Sequence, residues 1–227
     1  MVPYMTMVMG MDIKEAVPIS MMAIVVGTLT SSTPYLKKSM VDNELVVVIA
    51  LFMVIGSVIG SLLIALVSSS VLQIIFSIVV LYFGFMMLVN KNNNKPVMHE
   101  KNRGFYFTLA AAISFVVGVL AALVGLGGGL FIIPILYLLF GLSIDVARGT
   151  SALTIGFAAM AAAAVYFFTG RLNAAAAAPV ILGIALGGTI GGHLGTKARP
   201  VVVKIIFFVI MLYIAYNLGS QGIKGLH

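Results

Sequence analysis

Long apolar runs alternate with short polar interruptions along the whole chain. They cover Val17–Thr33, Leu45–Val67, Val71–Val89, Phe105–Val124, Val146–Phe168, Ala174–Leu194 and Val201–Leu218. Each is about 17–23 residues long, close to what a helix needs to cross a bilayer, so each predicts a membrane-spanning helix. Two shorter apolar pieces, Val2–Gly10 and Leu130–Phe140, cannot cross alone and predict half-helices or re-entrant segments. The sharpest interruption is Gly125-Leu126-Gly127-Gly128-Gly129, followed by Pro134, inside the apolar stretch from Phe105 to Phe140. Irregular backbone at membrane depth leaves N–H and C=O groups that lipid cannot satisfy. It is tolerated only where it is buried in protein or lines a cavity that holds water or a solute. The tract therefore predicts a broken helix and a solute site.

The chain also resembles itself. Sliding it by 131 positions, the separation of Pro3 and Pro134, superimposes Gly10 on Gly141, Ile13 on Ile144, Ala16 on Ala147 and Ser20 on Ser151. The same ungapped offset pairs Gly56 with Gly187, Gly60 with Gly191, Phe76 with Phe207 and Tyr82 with Tyr213. Shared Leu/Ile/Val content can match by chance, whereas matched Pro and Gly over such a span predict an internal duplication, a common transporter architecture. The counterpart of Phe105–Gly129 would fall before Met1, and the expectation is a reading frame that starts upstream rather than the loss of half of a symmetric site. Basic residues set an expected orientation. Pro34–Glu44 and Asn90–Gly104 carry Lys and Arg and are expected in the cytoplasm, with the Ser68-Ser69-Ser70 hairpin outside. In the second copy the basic residues Lys197, Arg199 and Lys204 fall at the opposite hairpin, so the copies are expected to be inverted, with the C-terminus outside.

Composition narrows the function. Hydrophobic residues make up 62% of the chain and charged residues 8%, far below the roughly quarter expected of a soluble domain. The mean hydropathy is +1.19. The net charge of +7 sits in short loops and forms no basic face, which argues against nucleic acid. The absence of cysteine excludes disulfides, thiolate metal sites and iron–sulfur centres. The apolar start lacks a basic n-region and a small-residue cleavage site, so no cleavable signal peptide is expected. No nucleophile–base pair, clustered metal ligands or rhomboid-type Gly-x-Ser-Gly motif appears, so no enzyme, cofactor or metal is expected. The scarcity of carboxylates within the spans argues against cation transport. The 14 methionines read as packing residues.

Specific residues can be assigned candidate roles. A helix that breaks at Gly125–Gly129 and restarts near Leu130 presents unpaired N–H groups and the positive end of its dipole, a ready anion site. Glycine suits such a site, because its backbone adopts φ > 0 and lets a solute approach closely; the alternative is that these glycines only permit packing or a kink. Gly125, Gly127, Gly128 and Gly129 are the first candidates. Arg148-Gly149-Thr150-Ser151 begins the next span. Thr150 and Ser151 can donate to an oxyanion with Arg148 supplying charge, or they can simply cap their helix. Ser20 takes the matching place in the first copy. Gly56, Gly60, Gly183, Gly187, Gly191 and Gly195 recur one turn apart and read as helix-packing scaffold. His193 reads as interfacial rather than as a proton relay, and the spacing of Asp145 and Arg148 allows an ion pair on one helix face.

The run Gly125-Leu126-Gly127-Gly128-Gly129-Leu130-Phe131-Ile132-Ile133-Pro134, then Ala147-Arg148-Gly149-Thr150-Ser151, resembles the sulfite exporter TauE/SafE family. The turn Gly170-Arg171-Leu172-Asn173 and the pair Gly187/Gly191 fit the same pattern, and the first copy repeats it more weakly from Val2-Pro3 onward. In two respects the chain departs from it: the first glycine tract is absent, and the first-copy Thr-Ser pair is Ile19-Ser20. The resemblance implies a multi-pass inner-membrane (plasma-membrane) transporter of small sulfur-containing anions such as sulfite or sulfonates. The expected fold is thus all-α, a polytopic membrane protein of two inverted repeats with broken or re-entrant helices. Residues 1–89 would form a first, N-terminally incomplete repeat, 90–104 a cytoplasmic linker, 105–219 the second repeat and 220–227 a tail. The expected partners are a small anionic solute and the lipid bilayer; proton coupling and a homo-oligomer are compatible with the sequence. The alternatives are a non-transporting membrane assembly partner and a carrier of another small organic anion.

Overall fold

The computed structural model describes residues 1–75, 77–78, 81, 103–125, 127–140, 142–195 and 200–224. Among them every regular element is helical: α1 (Val2–Met7), α2 (Ile13–Lys37), α3 (Asn43–Leu63), α4 (Arg103–Val124), α5 (Gly129–Phe140), α6 (Ile144–Phe168), α7 (Ala174–Gly195) and α8 (Pro200–Lys224). A further helical segment starts at Ser69, so most of the expected span Val71–Val89 lies outside the described residues. Among the described residues α2, α3, α4 and α6 are long and apolar enough to cross a membrane. The chain is an all-helical polytopic membrane protein. α2 runs to Lys37, into the expected basic loop, and α3 stops at Leu63, short of the expected Val67. α4 starts at Arg103 and α8 continues to Lys224, so both are longer than their apolar cores.

Capping side chains set the helix starts. Asp12 accepts the Lys14 N–H at 2.8 Å and Asp42 accepts the Leu45 N–H at 3.1 Å, fixing the first turns of α2 and α3. Ser143 opens α6, and Asn173 accepts the Ala176 N–H at 3.2 Å to open α7. The ends follow one pattern as well. After α2 the chain turns left-handed at Ser39 (φ 54°), with Met40 N–H donating to Tyr35 O at 2.9 Å. After α6 it turns left-handed at Gly170 (φ 68°), with Arg171 N–H donating to Tyr166 O at 2.9 Å. Both are left-handed helix caps that satisfy a terminal carbonyl. These landmarks obey the sequence offset of 131. Ile13 and Ile144 begin α2 and α6, Lys37 and Phe168 end them, Asn43 and Ala174 begin α3 and α7, and Ser69 and Pro200 begin the next helical segments.

Packing repeats the relation. α2 and α6 lie against each other, α2 packs on α7, and α3 packs on α6. The buried centre is lined by Val17, Met21, Ile49, Met53, Ala121, Ile132, Ala158, Ala162 and Tyr166. Four small residues on one side of α6, Ala158, Ala159, Ala162 and Ala163, let its neighbours approach closely. The tightest pair is α3 with α4. A Cβ on Gly56 would meet the Phe115 carbonyl, one on Gly60 the Val119 backbone, and one on Gly118 the Met53 carbonyl. The packing expectation thus holds for Gly56 and Gly60. It fails for Gly183 and Gly187, which face open space. Leu51, Leu62, Val116 and Phe157 turn outward, as lipid contact requires.

Gly56→Ala should destabilise the protein by at least about 1–3 kcal/mol through overpacking against backbone. Gly187→Ala should be neutral or stabilising by up to about 1 kcal/mol, through helix propensity alone. Thermal unfolding of both variants in detergent checks the contrast.

Candidate functional site at the helix break

The helix that begins at Arg103 ends at Val124, and a new one begins at Gly129. Gly125, Gly127 and Gly128 between them hold φ of 73°, 70° and 78°, a left-handed region costly for any residue with a Cβ. All three are buried, so the interruption is enclosed in protein. Such a break leaves orphan carbonyls behind it and orphan N–H groups ahead of it.

Hydroxyls from neighbouring helices satisfy carbonyls on the trailing side. Tyr166 Oη donates to Ala122 O at 2.8 Å, and Ser20 Oγ donates to Gly125 O at 2.8 Å. On the leading side Gly128 O accepts from Phe131 and Ile132, which starts α5. The N–H groups of Gly127, Gly128 and Gly129 meet no acceptor among the described residues. They lie at the N-terminal, positive end of α5, where anions bind in many proteins.

Apolar side chains cover this site. Ile24 of α2 and Ile155 of α6 both abut Gly127, and Ile155 also abuts Gly129. Met53 of α3 presses on Gly128, and Val2 and Val17 on Gly125. Ile24, Ile155, Met53 and Tyr166 were missed as site residues because apolar and aromatic residues are common in every span. The available signal was the offset of 131, which pairs Ile24 with Ile155.

The other candidates separate. Ser20 joins the break through Gly125, but as a donor to protein rather than to solute. Ser151 lies one turn before Ile155 on the same face of α6, and its buried hydroxyl has no partner among the described residues. Thr150 faces elsewhere. Its Oγ1 accepts the Asp42 N–H at 3.0 Å and ties α6 to the start of α3. Neither hydroxyl caps α6, because that helix starts at Ile144, nearly two turns earlier, with Ser143 as its cap. Arg148 is exposed near the start of α6, and the structure does not bring it to the glycines. The side chains of Asp145 and His193 lie outside the described residues. Ser57, in addition, donates to Ala158 O at 2.9 Å and pins α3 to α6 behind Met53.

A polytopic helical bundle closed around a broken helix is an architecture that many membrane transporters share. The model of the family described as "Sulfite exporter TauE/SafE" matches residues 1–218, and the chain belongs to that family. It is also similar to the "Probable membrane transporter protein YunE" of Bacillus subtilis (strain 168), with 25% identity over 226 residues, covering 92% of this chain and 82% of the relative. No solved structure gives a significant match.

Thr150→Val should cost about 1–3 kcal/mol, because it strands the Asp42 N–H without its acceptor, while Thr150→Ser should keep most of the stability. Denaturation of the two variants side by side in detergent checks this.

Proposed function

We propose that the protein carries a small sulfur-containing oxyanion, such as sulfite or a short sulfonate, across the cell membrane by alternating access around Gly125–Gly129. The observation that carries this reading is the row of N–H groups at Gly127, Gly128 and Gly129, the first two on buried residues, that meet no acceptor among the described residues. An oxyanion leaving water must replace its hydration with donors, and charge-assisted bonds from aligned N–H groups are the strongest that main chain can offer. The α5 dipole adds the equivalent of about half a positive charge at the same point. The family's description, which names sulfite export, supports the substrate class.

Each neighbour then has a role. Ser20 and Tyr166 keep the trailing carbonyls turned away, so that an anion meets donors only. Thr150 fixes α6 relative to α3, and Arg148 contributes positive potential where an anion would approach. Ile24, Ile155 and Met53 form an apolar plug over the glycines, so the conformation described is closed. Loading requires the plug to withdraw, which a rocking of α2, α3 and α6 would accomplish.

Gly128→Leu should lower flux about 100-fold or more, since the new side chain would take the space of the anion and of Met53 in a backbone conformation that disfavours it. Uptake into proteoliposomes of sulfite, sulfate, thiosulfate and short sulfonates, with and without a pH gradient, measures this and identifies the cargo. Wild-type flux by Gly128→Leu would remove the glycine tract from the mechanism. Flux of a non-sulfur organic anion alone would assign a different cargo, and no flux at all would favour a non-transporting assembly role.

A further inference from the structure

Among the described residues every buried serine or threonine has a hydrogen-bond partner except two, Ser114 on α4 and Ser151 on α6. They are 0% and 1% exposed. Leaving a buried hydroxyl unpaired is costly, so the two exceptions call for an explanation. Each lies one helical turn from a side chain that touches the glycine break. Ser114, Val117 and Ala121 follow one another along one face of α4, and a Cβ on Gly128 would meet Val117 and Ala121. Ser151 and Ile155 share a face of α6, and a Cβ on Gly127 or Gly129 would meet Ile155.

The two serines also lie on one side of the break. Phe140, at the end of α5, meets Phe107, near the start of α4, edge to face with ring centroids 5.7 Å apart. α5 therefore runs back along α4, and α6 sets out from the same end, at Ile144. Each serine precedes its break-facing neighbour on a helix leaving that end. Both are thus between the break and the end of the bundle that the basic residues before α4 would place in the cytoplasm. Towards the far end of α4 the hydroxyls are used differently: Tyr166 and Ser20 give theirs to Ala122 O and Gly125 O.

We infer that Ser114 and Ser151 form a stepping site for the carried oxyanion, between the glycine break and the cytoplasmic end of the bundle. The inference rests on the carriage of an anion at Gly125–Gly129 and gives that carriage a route. An anion leaving the N–H groups of the break enters a seam lined by Val117, Ile155 and other apolar side chains, where water cannot restore its hydration. Two hydroxyls with no carbonyl to serve can donate to it there. Being neutral, they hold an anion less tightly than the break does, and passage requires sites strong enough to enter and weak enough to leave. Their contribution therefore falls on the barrier to release and not on binding at the glycines.

The test is flux of sulfite, sulfate, thiosulfate and methanesulfonate in proteoliposomes by Ser114→Ala, Ser151→Ala and the double variant, with unfolding temperatures measured without anion. Ser61→Ala is the control, since that buried hydroxyl already donates to Val58 O at 2.8 Å. Maximal flux should fall about 10-fold for each single variant and about 100-fold for the double, with Ser61→Ala unchanged. The half-saturating concentration should stay within about twofold, because binding at the break is untouched. Unfolding temperatures should be equal or higher, because each change removes a hydroxyl that has no partner. Wild-type flux by the double variant would overturn the stepping site and leave the glycine site standing. Lower unfolding temperatures in step with lower flux would overturn it in favour of a structural role, such as holding a bound water. A raised half-saturating concentration at unchanged maximal flux would overturn it by making the serines ligands at the break itself. If the wild type carries none of the four anions, the glycine reading fails and the stepping site falls with it.

Discussion

The structure depends on how a broken main chain is kept from facing hydrocarbon. A carbonyl without a donor costs about 1–3 kcal/mol in a protein interior and more in lipid. The break after Val124 creates several such groups at once. The protein meets the cost with two hydroxyls from two different helices, Ser20 of α2 and Tyr166 of α6. That solution constrains the fold, because α2 and α6 must both reach the end of α4. It also leaves the N–H groups of Gly127, Gly128 and Gly129 without an acceptor among the described residues. Those are the donors that the proposed anion would meet.

The two halves share construction details that apolar composition alone would not produce. Helices start and stop at matched positions, α2 and α6 each close on a left-handed residue, and equivalent pairs pack against each other. Ser39 is informative here. A serine at φ 54° is disfavoured, yet the chain keeps the turn that Gly170 makes easily in the other half. The turn thus falls at positions 131 residues apart whichever residue has to make it.

Much of the fold was legible in the sequence for a simple reason. Span length is fixed by bilayer thickness, and glycine clusters are scarce inside spans unless the backbone must do something unusual. The positions of α2, α3, α4, α6 and α7 and the break at Gly125–Gly129 followed from those two facts. What was not legible depends on which neighbour a residue meets. Gly56 and Gly187 look alike in sequence, and only one has a helix against it. Thr150 and Ser151 are adjacent, yet a rotation of about 100° sends one to Asp42 and the other towards the face of Ile155. The role of Ser20 as a donor to Gly125 could not be inferred, because nothing local records a partner 105 residues away. The plug of Ile24, Ile155 and Met53 was hidden for the opposite reason, being the commonest residue types in a membrane helix.

Where Gly127 would carry a Cβ, Ile24 and Ile155 already meet, two residues that the internal offset makes equivalent. No side chain can grow from that position without displacing both. Recognition there would have to be written in main chain, which reads charge and size but not the substituents of a larger molecule. Divergence of cargo among related carriers would then be expected in the flanking aliphatic pair, while the glycine between them stays fixed. Selectivity in this scaffold would belong to the stopper rather than to the cup.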